Sequence, residues 1–183
     1  MIIKTFFAGF GGQGVLSMGY TLAYAGMLAD KYVTYFPSYG AEVRGGTANC
    51  TVAVGDEEIA SPIASQPEFL VAMNLPSMLK FENVVSPGGL LFLNTSLVEE
   101  ERPTRSDLEV VEIPANQLAK EVANERAANM VIMGVLAGKT GIVDTEAFSE
   151  AIGIIFEKKK KVLDLNRKAF ERGVEFMNSG GEK

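Results

Sequence analysis

The sequence predicts a three-layer α/β/α domain built on a mixed, mostly parallel β-sheet. Strand patterns are concentrated before residue 114, and helical patterns follow it. The first elements are a short apolar strand, a glycine cluster, a helix and a second strand, which is the order of a βαβ unit. A later strand alternates apolar and polar residues, which is typical of an antiparallel strand. We therefore expect one α/β domain over residues 1–183, with a frayed tail at residues 179–183.

The first forty residues predict a strand, a helix and a second strand. Residues 2–8 are β-branched and aromatic and stop at glycines, which favours a buried strand. Residues 15–30 favour a helix, one face of which carries small and branched residues that let a helix lie close on a sheet. Residues 31–36 form the next predicted strand, which Pro37 is expected to end. The chain should therefore open with a Rossmann-like βαβ unit.

The next segment predicts a loop followed by an antiparallel strand. Residues 37–46 are polar and glycine-rich, as loops are. In residues 47–54, apolar side chains such as Cys50 and Val52 alternate with polar ones such as Asn49. This alternation suits a half-exposed antiparallel strand better than a central parallel one, so we expect the sheet to be mixed.

The remainder of the chain predicts three short strands, a short helix and a helical C-terminal part. The strands are expected at residues 69–73, 90–93 and 109–113. The short helix is expected at residues 75–83 with Pro76 in its first turn, and an exposed loop at residues 99–107. The later helices are expected at residues 115–124, 127–139, 144–157 and 159–177. The helix at 127–139 is apolar nearly all round, which predicts burial in the domain or under a partner subunit.

The composition excludes several classes of function. The 183 residues carry 17 Lys and Arg against 23 Asp and Glu, a net charge of −6, which argues against a nucleic-acid-binding surface. There is no histidine and one cysteine, so this chain alone cannot supply histidine-dependent catalysis, an intrachain disulfide or a cluster held by four thiolates. Neither a signal-peptide pattern nor a run of about 18 apolar residues is present. We expect a cytoplasmic protein with no membrane contact, no metal ligands and no catalytic residues of its own.

The glycine cluster after the first strand is a candidate binding turn. It satisfies the spacing G-x-G-x-x-G, which lets the backbone approach a phosphate at the start of a helix. Its residues are Gly9, Gly11, Gly12, Gln13 and Gly14. Dinucleotide-binding folds place an acidic residue at the end of the second strand to hold a ribose, and residues 33–37 contain none. Three interpretations stay open: an NAD(P) site, a contact with another anion or phosphate, and a purely structural turn.

A second candidate is the loop after the second predicted strand, which should lie at the sheet edge where α/β domains bind ligands. Its candidate residues are Ser38, Tyr39, Gly40, Glu42, Arg44, Gly45 and Gly46. The Arg44 guanidinium could clamp a carboxylate or a phosphate through two parallel hydrogen bonds, with Glu42 holding its geometry. The structural alternative is an ordinary surface ion pair.

Asn74 and Cys50 each have a structural interpretation beside a functional one. Asn74 ends a strand at the expected binding edge, and it is equally suited to capping the helix that begins before Pro76. Cys50 falls on the apolar face of its strand, so a buried structural thiol is the favoured interpretation.

Four motifs together resemble the gamma subunit of 2-oxoacid:ferredoxin oxidoreductases, the pyruvate ferredoxin oxidoreductase gamma-domain family. They are Gly9-Phe-Gly-Gly-Gln-Gly-Val15, Pro37-Ser-Tyr-Gly-Ala-Glu-Val-Arg-Gly-Gly-Thr-Ala-Asn49, Ala72-Met-Asn74 and Ala128-Asn-Met130. The second motif is more similar to the 2-oxoglutarate and branched-chain types than to the pyruvate type. It departs from them at Ala41, where proline is common.

The resemblance implies an enzyme subunit that is inactive alone. In this family the alpha, beta and ferredoxin-like delta subunits hold thiamine diphosphate, Mg²⁺ and [4Fe-4S] clusters. The complex decarboxylates a 2-oxoacid, passes electrons to ferredoxin and transfers the acyl group to coenzyme A. The two candidate regions, with Asn49 and Asn74, would then face the shared active site or a partner subunit. An independent NAD(P)-dependent oxidoreductase and a nucleotide-sensing module remain as alternatives.

Overall fold

The computed structural model describes residues 1–39, 47–122 and 124–181, with only the backbone of Tyr39, and these residues form six strands and six α-helices. The strands are β1 (Ile2–Phe10), β2 (Tyr32–Tyr39), β3 (Thr47–Gly55), β4 (Phe69–Ala72), β5 (Leu90–Asn94) and β6 (Glu109–Ile113). The helices are α1 (Val15–Leu28), α2 (Leu75–Phe81), α3 (Ala115–Val122), α4 (Ala128–Thr140), α5 (Thr145–Ile155) and α6 (Lys160–Asn178). Short 3₁₀ turns at Glu82–Val84 and Glu125–Ala127 extend α2 and precede α4.

The strands form one mixed sheet in the order β2-β3-β1-β4-β5-β6. Strands β1, β4, β5 and β6 are mutually parallel, and β3 pairs antiparallel with both β1 and β2. The predicted mixed, mostly parallel sheet is therefore confirmed. In the first βαβ unit, β1 and β2 run in the same direction but β3 lies between them, because β3 returns antiparallel from β2 and pairs on both sides.

Helices cover both faces of the sheet, as a three-layer α/β/α domain requires. Successive residues of β1 point to opposite faces: Phe7 belongs to the larger core with α1 and α3–α6, and Ala8 to a smaller core with α2. Met78 of α2 is completely buried in the smaller core. The sheet is therefore protected from water on both sides over β1, β4 and β5.

Helix α4 is the central element of the larger core. Its residues 128–137 are all buried, which confirms the burial predicted from its apolar composition. It crosses α6 at closely packed backbones, since a Cβ at Gly134 would overlap the carbonyl oxygen of Phe170 and a Cβ at Gly173 that of Val131. Glycine is required at this crossing because no side chain fits between the two helices.

Strands β2 and β3 differ from the sequence prediction. Strand β2 continues through Pro37 to Tyr39, which an edge strand tolerates because one side of its backbone has no partner strand among the described residues. Strand β3 is buried from Cys50 to Gly55, so the expected half-exposed strand is wrong for this stretch. One of its faces packs on α1, where Cys50 lies against Gly19. The alternation of side chains does not reveal what packs over a strand.

The end of α6 is closed by a hydrogen-bonded turn. The backbone N–H of Gly181 donates to the Phe176 carbonyl at 3.0 Å, and Gly180 donates to Met177 at 3.2 Å. Both glycines adopt positive φ angles, the usual geometry of a helix C-terminus. Of the tail expected to fray, residues 179–181 thus form this turn, and residues 182–183 lie outside the described part.

Candidate functional site at the carboxyl edge of the sheet

The carboxyl edge of the sheet, where β1, β4, β5 and β6 end, brings the predicted binding segments together. Ala8 is in register with Ala72, and the backbone N–H of Met73 donates to the Ala8 carbonyl at 2.9 Å. The glycine turn after β1 and Asn74 after β4 are therefore neighbours. Tyr39 and Thr47, which flank residues 40–46, lie at the same edge because Thr47 pairs with Phe10.

The glycine turn has backbone geometry that favours glycine. Gly12 and Gly14 have φ angles of +94° and +74°, in the left-handed region. A Cβ at Gly9 would lie 2.9 Å from the Cβ of Met73 and 2.7 Å from Val15, so the turn packs closely on β4 and α1. Gly14 is the N-cap of α1 and provides no side-chain capping bond. The positive end of the α1 dipole therefore faces this turn.

Gln13 links the turn to the neighbouring strand. Its Oε1 accepts a hydrogen bond from the Phe10 backbone N–H at 2.6 Å and another from Asn74 Nδ2 at 2.7 Å. Asn74 Oδ1 accepts from the backbone N–H of Ser77 at 3.0 Å, which caps α2. The capping interpretation of Asn74 is thus confirmed, and the same side chain also joins the candidate site.

The remaining predicted site residues are not all brought to this turn. Ser38 and Asn49 are in register with each other and with Ala8, so their side chains share the face of the sheet that α2 covers. Gly40, Glu42, Arg44, Gly45 and Gly46 lie outside the described residues.

Arg126 is a site residue that the sequence did not indicate, and Asn129 was noted only as part of the motif at residues 128–130. A cleft of about 190 Å³ opens beside the glycine turn, and both residues line it. The other lining residues are Gly12, Gln13, Met73, Leu97, Asn116, Glu125 and Ala128. Asn129 packs directly on Gly14, where a Cβ would overlap its Nδ2. The sequence signal that could have indicated Asn129 is a polar residue at the start of an otherwise apolar helix.

A chain of amide side chains borders this cleft. Asn94, completely buried at the end of β5, donates through Nδ2 to Asn116 Oδ1 at 2.9 Å. Asn94 Oδ1 accepts from the backbone N–H of Ser96, whose hydroxyl in turn accepts from the Asn116 backbone N–H at 3.1 Å. These bonds hold the Asn116 carboxamide in place at the cleft.

Residues 4–176 match the family described as pyruvate ferredoxin/flavodoxin oxidoreductase. The chain belongs to this family. It is 39% identical over 176 residues to the ketoisovalerate oxidoreductase subunit VorA of Methanothermobacter marburgensis, covering 95% of this chain and 36% of the relative. The chain therefore spans about a third of the length of that relative.

Two solved structures share the fold. The gamma subunit of a keto/oxoacid ferredoxin oxidoreductase from Geobacter sulfurreducens superposes with a TM-score of 0.82 at 28% identity, covering 97% of this chain and 99% of that one. A 2-oxoglutarate:ferredoxin oxidoreductase from Magnetococcus marinus, with 2-oxoglutarate, coenzyme A and succinyl-CoA bound, gives 0.88 at 26% identity. It covers 97% of this chain and 31% of that one. The resemblance to gamma subunits and the predicted α/β fold are confirmed.

Cys50 takes no part in the site of this family member. Its thiol is completely buried beside Gly19 and contacts the Val15 carbonyl at 3.6 Å. Burial raises the pKa of the Cys50 thiol to about 12, so it stays protonated near neutral pH. The structural interpretation of Cys50 is confirmed.

The described residues contain neither a candidate metal site nor a helix that could span a membrane. No group of three or more thiol or carboxylate side chains in residues 1–39, 47–122 and 124–181 is arranged to hold a metal ion. In the same part of the chain, no helix combines the length and apolar character needed to cross a bilayer.

Proposed function

We propose that this chain is the gamma component of a thiamine diphosphate-dependent 2-oxoacid:ferredoxin oxidoreductase. The complex would oxidatively decarboxylate a 2-oxoacid to an acyl-CoA and CO₂, with ferredoxin as electron acceptor. The observation that carries this proposal is the match over residues 4–176 together with a gamma-subunit fold along 97% of the chain. We propose further that residues 1–183 act as one cytoplasmic domain.

Within that complex, the redox and thiamine chemistry would belong to the alpha, beta and ferredoxin-like delta subunits. Thiamine diphosphate would supply the carbanion chemistry of decarboxylation, and [4Fe-4S] clusters would carry the electrons singly. This chain has no histidine, and its one thiol is buried and protonated. Its own contribution would be a rigid α/β platform that presents the carboxyl edge of the sheet to the active site.

The carboxyl edge would form part of the coenzyme A passage or of the contact beside thiamine diphosphate. The positive end of α1 and the uncharged amides of Gln13, Asn74 and Asn129 favour an anionic group there. Coenzyme A is bound in the Magnetococcus marinus enzyme that shares this fold.

The substrate would be 2-oxoglutarate or a branched-chain 2-oxoacid. The VorA relative is named for ketoisovalerate, a branched-chain 2-oxoacid, and the Magnetococcus marinus enzyme for 2-oxoglutarate. Substrate choice would rest mainly on the partner subunits, so comparing both substrates in the assembled complex is the direct measurement.

Co-expression with the thiamine-binding and iron–sulfur subunits tests the proposal. We expect the assembled complex to reduce viologen with a 2-oxoacid and coenzyme A, and this chain alone to be inert. Failure of this chain to co-purify with those subunits would contradict the proposal. Substantial activity of the chain alone would contradict it equally.

The NAD(P)-binding and nucleotide-sensing alternatives predict affinity in the isolated chain. Equilibrium dialysis against NAD(H), ATP and coenzyme A separates them from the oxidoreductase proposal. Family membership and the missing acidic residue at the end of β2 favour the oxidoreductase subunit.

Arg44 offers a test of residues 40–46, which belong to the loop predicted from the sequence. If its guanidinium holds a phosphate or a partner carboxylate, Arg44→Lys should weaken the affected constant roughly 10- to 150-fold, because lysine lacks the two-pronged geometry. If only the KM for coenzyme A rises, Arg44 contacts coenzyme A. If assembly and activity are lost together, Arg44 contacts a partner subunit. Unchanged kinetics and assembly would leave the loop with a structural role.

A further inference from the structure

The tyrosines of this chain are concentrated in two neighbouring elements. All five lie between residues 20 and 39, in α1 and β2, and neither element contains a charged residue. Tyrosine is enriched at the centres of protein–protein interfaces, and lysine, glutamate and aspartate are depleted there. The outer side of α1 and β2, which we call the tyrosine surface, therefore has the composition of an interface.

Three aromatic side chains of the tyrosine surface are about half exposed. Tyr20, Tyr32 and Phe36 are 46%, 53% and 47% exposed, and no other aromatic side chain in the described ranges is as exposed. The ring centroid of Tyr20 lies 6.1 Å from that of Tyr35, which places Tyr20 beside β2. Because an aromatic side chain buries about 150–250 Å² in full, covering these three would remove roughly 225–375 Å² from water. That area is enough for the apolar centre of a stable interface, which buries about 800 Å² per partner.

Strand β2 also offers an open backbone edge. It is the first strand of the sheet and pairs only with β3 among the strands that the structure describes. Edge strands in natural proteins usually carry charged residues or proline, which prevent pairing with another chain. Strand β2 has no charge, and Pro37 lies beyond the stretch 32–36. These five residues match the usual length of a strand, so they can template an added one.

Thr34 lies at the centre of this stretch and has an unsatisfied hydroxyl. Its Oγ1 is shielded from water and forms no hydrogen bond within the described part of the chain. Buried hydroxyls nearly always have a partner, because leaving one unpaired is costly. Tyr32 and Phe36 lie two positions before and after Thr34, so all three side chains share one face of the sheet. The stretch is therefore an aromatic–threonine–aromatic pattern centred on Thr34.

We propose that two copies of this chain pair antiparallel through β2, about a two-fold axis at Thr34. In this register Thr34 faces Thr34 of the second copy, and each Tyr32 faces a Phe36. Threonine–threonine hydrogen bonds and aromatic pairs both stabilise antiparallel strands. A second copy is favoured over an unlike protein because the pattern is complementary to itself, as an interface with two-fold symmetry requires. The pairing would join the two six-stranded sheets, with their carboxyl edges pointing in opposite directions.

A cross-link tests the register of the proposed dimer. Directly opposite residues of antiparallel strands have Cα atoms about 4.5–5.5 Å apart, which suits a disulfide. We therefore expect Thr34→Cys to form a covalent dimer on oxidation, measured by non-reducing electrophoresis. Phe36→Cys is the control, because the two copies of residue 36 would lie about 14 Å apart along the strands, too far for a disulfide. The natural Cys50 is buried and does not compete.

Sedimentation equilibrium of the full chain measures the affinity of the dimer. We expect Phe36→Lys to raise the dimer Kd at least about tenfold, because an aromatic pair is lost and lysine opposes pairing at an edge strand. The matched control is Leu97→Lys, which also replaces a half-exposed apolar side chain by lysine. Leu97 is 44% exposed and follows β5, four strands across the sheet from β2. We expect the control to change the Kd less than twofold.

The inference would be overturned by a chain that stays monomeric at high micromolar concentration. Equal effects of Phe36→Lys and Leu97→Lys would overturn it as well, and so would equal cross-linking of Thr34→Cys and Phe36→Cys. If Thr34→Cys does not fold, Phe36→Lys, which changes an exposed residue, decides alone. A Phe36→Cys chain that cross-links to a different subunit of the co-expressed complex would assign the tyrosine surface to an unlike protein instead. Dimerisation is measured on this chain alone, so it can fail while the proposed function stands.

Discussion

The two edges of the sheet differ in the polar side chains that they carry. At the carboxyl edge, amide side chains dominate. The cleft beside Gly14 is lined by Arg126 and Asn129, whose side chains form no hydrogen bond or ion pair among the described residues. The amino edge, where the parallel strands begin, is closed by ion pairs instead. There Asp56 binds both the terminal amine and Lys31. Further pairs join Lys139 to Glu109 and Arg105 to Asp107.

Size alone would point to the wrong edge. The amino edge has a larger cleft of about 260 Å³, bordered by Ile3, Lys31, Asp56 and Phe69. Its charged groups already have partners, so a ligand would have to displace an existing interaction. Two side chains that line the smaller carboxyl cleft have no partner within the described part of the chain, so a ligand there need not displace an existing interaction. One ion pair, Arg102–Glu112, does lie near the end of β6, at the far side of the sheet.

Helix α4 connects the edges, and breaking its crossing with α6 should have the largest effect. Gly134→Ala would drive a methyl group into the Phe170 carbonyl oxygen. We expect it to lower the free energy of unfolding by about 3 kcal/mol or more, because backbone atoms cannot move aside. Urea unfolding followed by circular dichroism measures this.

Gly138→Ala on the same helix is the matched control. There the nearest side-chain atom, the Cβ of Met177, would be 3.4 Å away, an ordinary contact. Replacing a helical glycine by alanine should then stabilise the protein by about 0.5–1 kcal/mol. Equal destabilisation by Gly134→Ala and Gly138→Ala would show that the backbones of α4 and α6 are not in close contact at Gly134.

At the carboxyl edge, Gly14→Ala should have the next largest effect. Its φ of +74° is unfavourable for alanine by about 1–2 kcal/mol, and the new methyl would displace Asn129. We expect a total loss of about 2–3 kcal/mol and a higher KM for coenzyme A in the assembled complex. Gly11→Ala, with nothing within 4 Å of the added Cβ, should leave both quantities nearly unchanged. Similar melting temperatures for the two variants would contradict the packing of Asn129 on the turn.

Two substitutions of Gln13 distinguish its contribution to stability from its contribution to binding at the carboxyl edge. Gln13→Met removes the acceptor for Phe10 and Asn74 and should cost about 1–3 kcal/mol of unfolding free energy. Gln13→Glu retains an acceptor oxygen, so it should fold nearly as well, but its charge should raise the KM for coenzyme A in the assembled complex. Thermal unfolding of both variants and the kinetics of their complexes check this. A Gln13→Glu complex with an unchanged KM for coenzyme A would contradict the anion preference of the carboxyl edge.

At the amino edge we expect the smallest effect, confined to acidic pH. A hydrogen bond from Arg105 lowers the pKa of Asp107 to about 2, below its unfolded value near 3.9. The stability from this ion pair is therefore complete above about pH 4 and is lost as the pH falls towards 2. Asp107→Asn, which leaves the bonds from Arg105 Nη1 to the Glu82 and Val85 carbonyls in place, should remove this acid dependence and leave urea unfolding at pH 7 nearly unchanged. A large loss of unfolding free energy at pH 7 would show that this ion pair makes a major contribution to the stability of the fold.

The sequence predicted the helices and strands well because each has a local pattern. The apolar periodicity of α4 and the glycine turn before α1 are both visible without tertiary information. The burial of β3 was not visible in the sequence, because it depends on which elements pack over its faces. The extension of β2 through Pro37 likewise depends on its being an edge strand.

The candidate site was predicted only in part for the same physical reason. Gln13, Asn74 and the glycines lie next to strand ends, where local patterns indicate a binding edge. Asn129 meets Gly14 across 115 positions of sequence, through the packing of α4 beside α1. A lone asparagine at the start of an apolar helix does not reveal what it contacts, so no sequence pattern predicted the cleft.

Amide hydrogen exchange of the assembled complex, with and without coenzyme A, compares the two edges in one measurement. We expect coenzyme A to slow exchange at residues 9–17 and 125–131, which border the carboxyl cleft. Residues 31–33, 54–58 and 139–142 at the amino edge should exchange at unchanged rates. Protection confined to the amino edge, or none at residues 9–17, would contradict the assignment of the carboxyl edge as the binding edge.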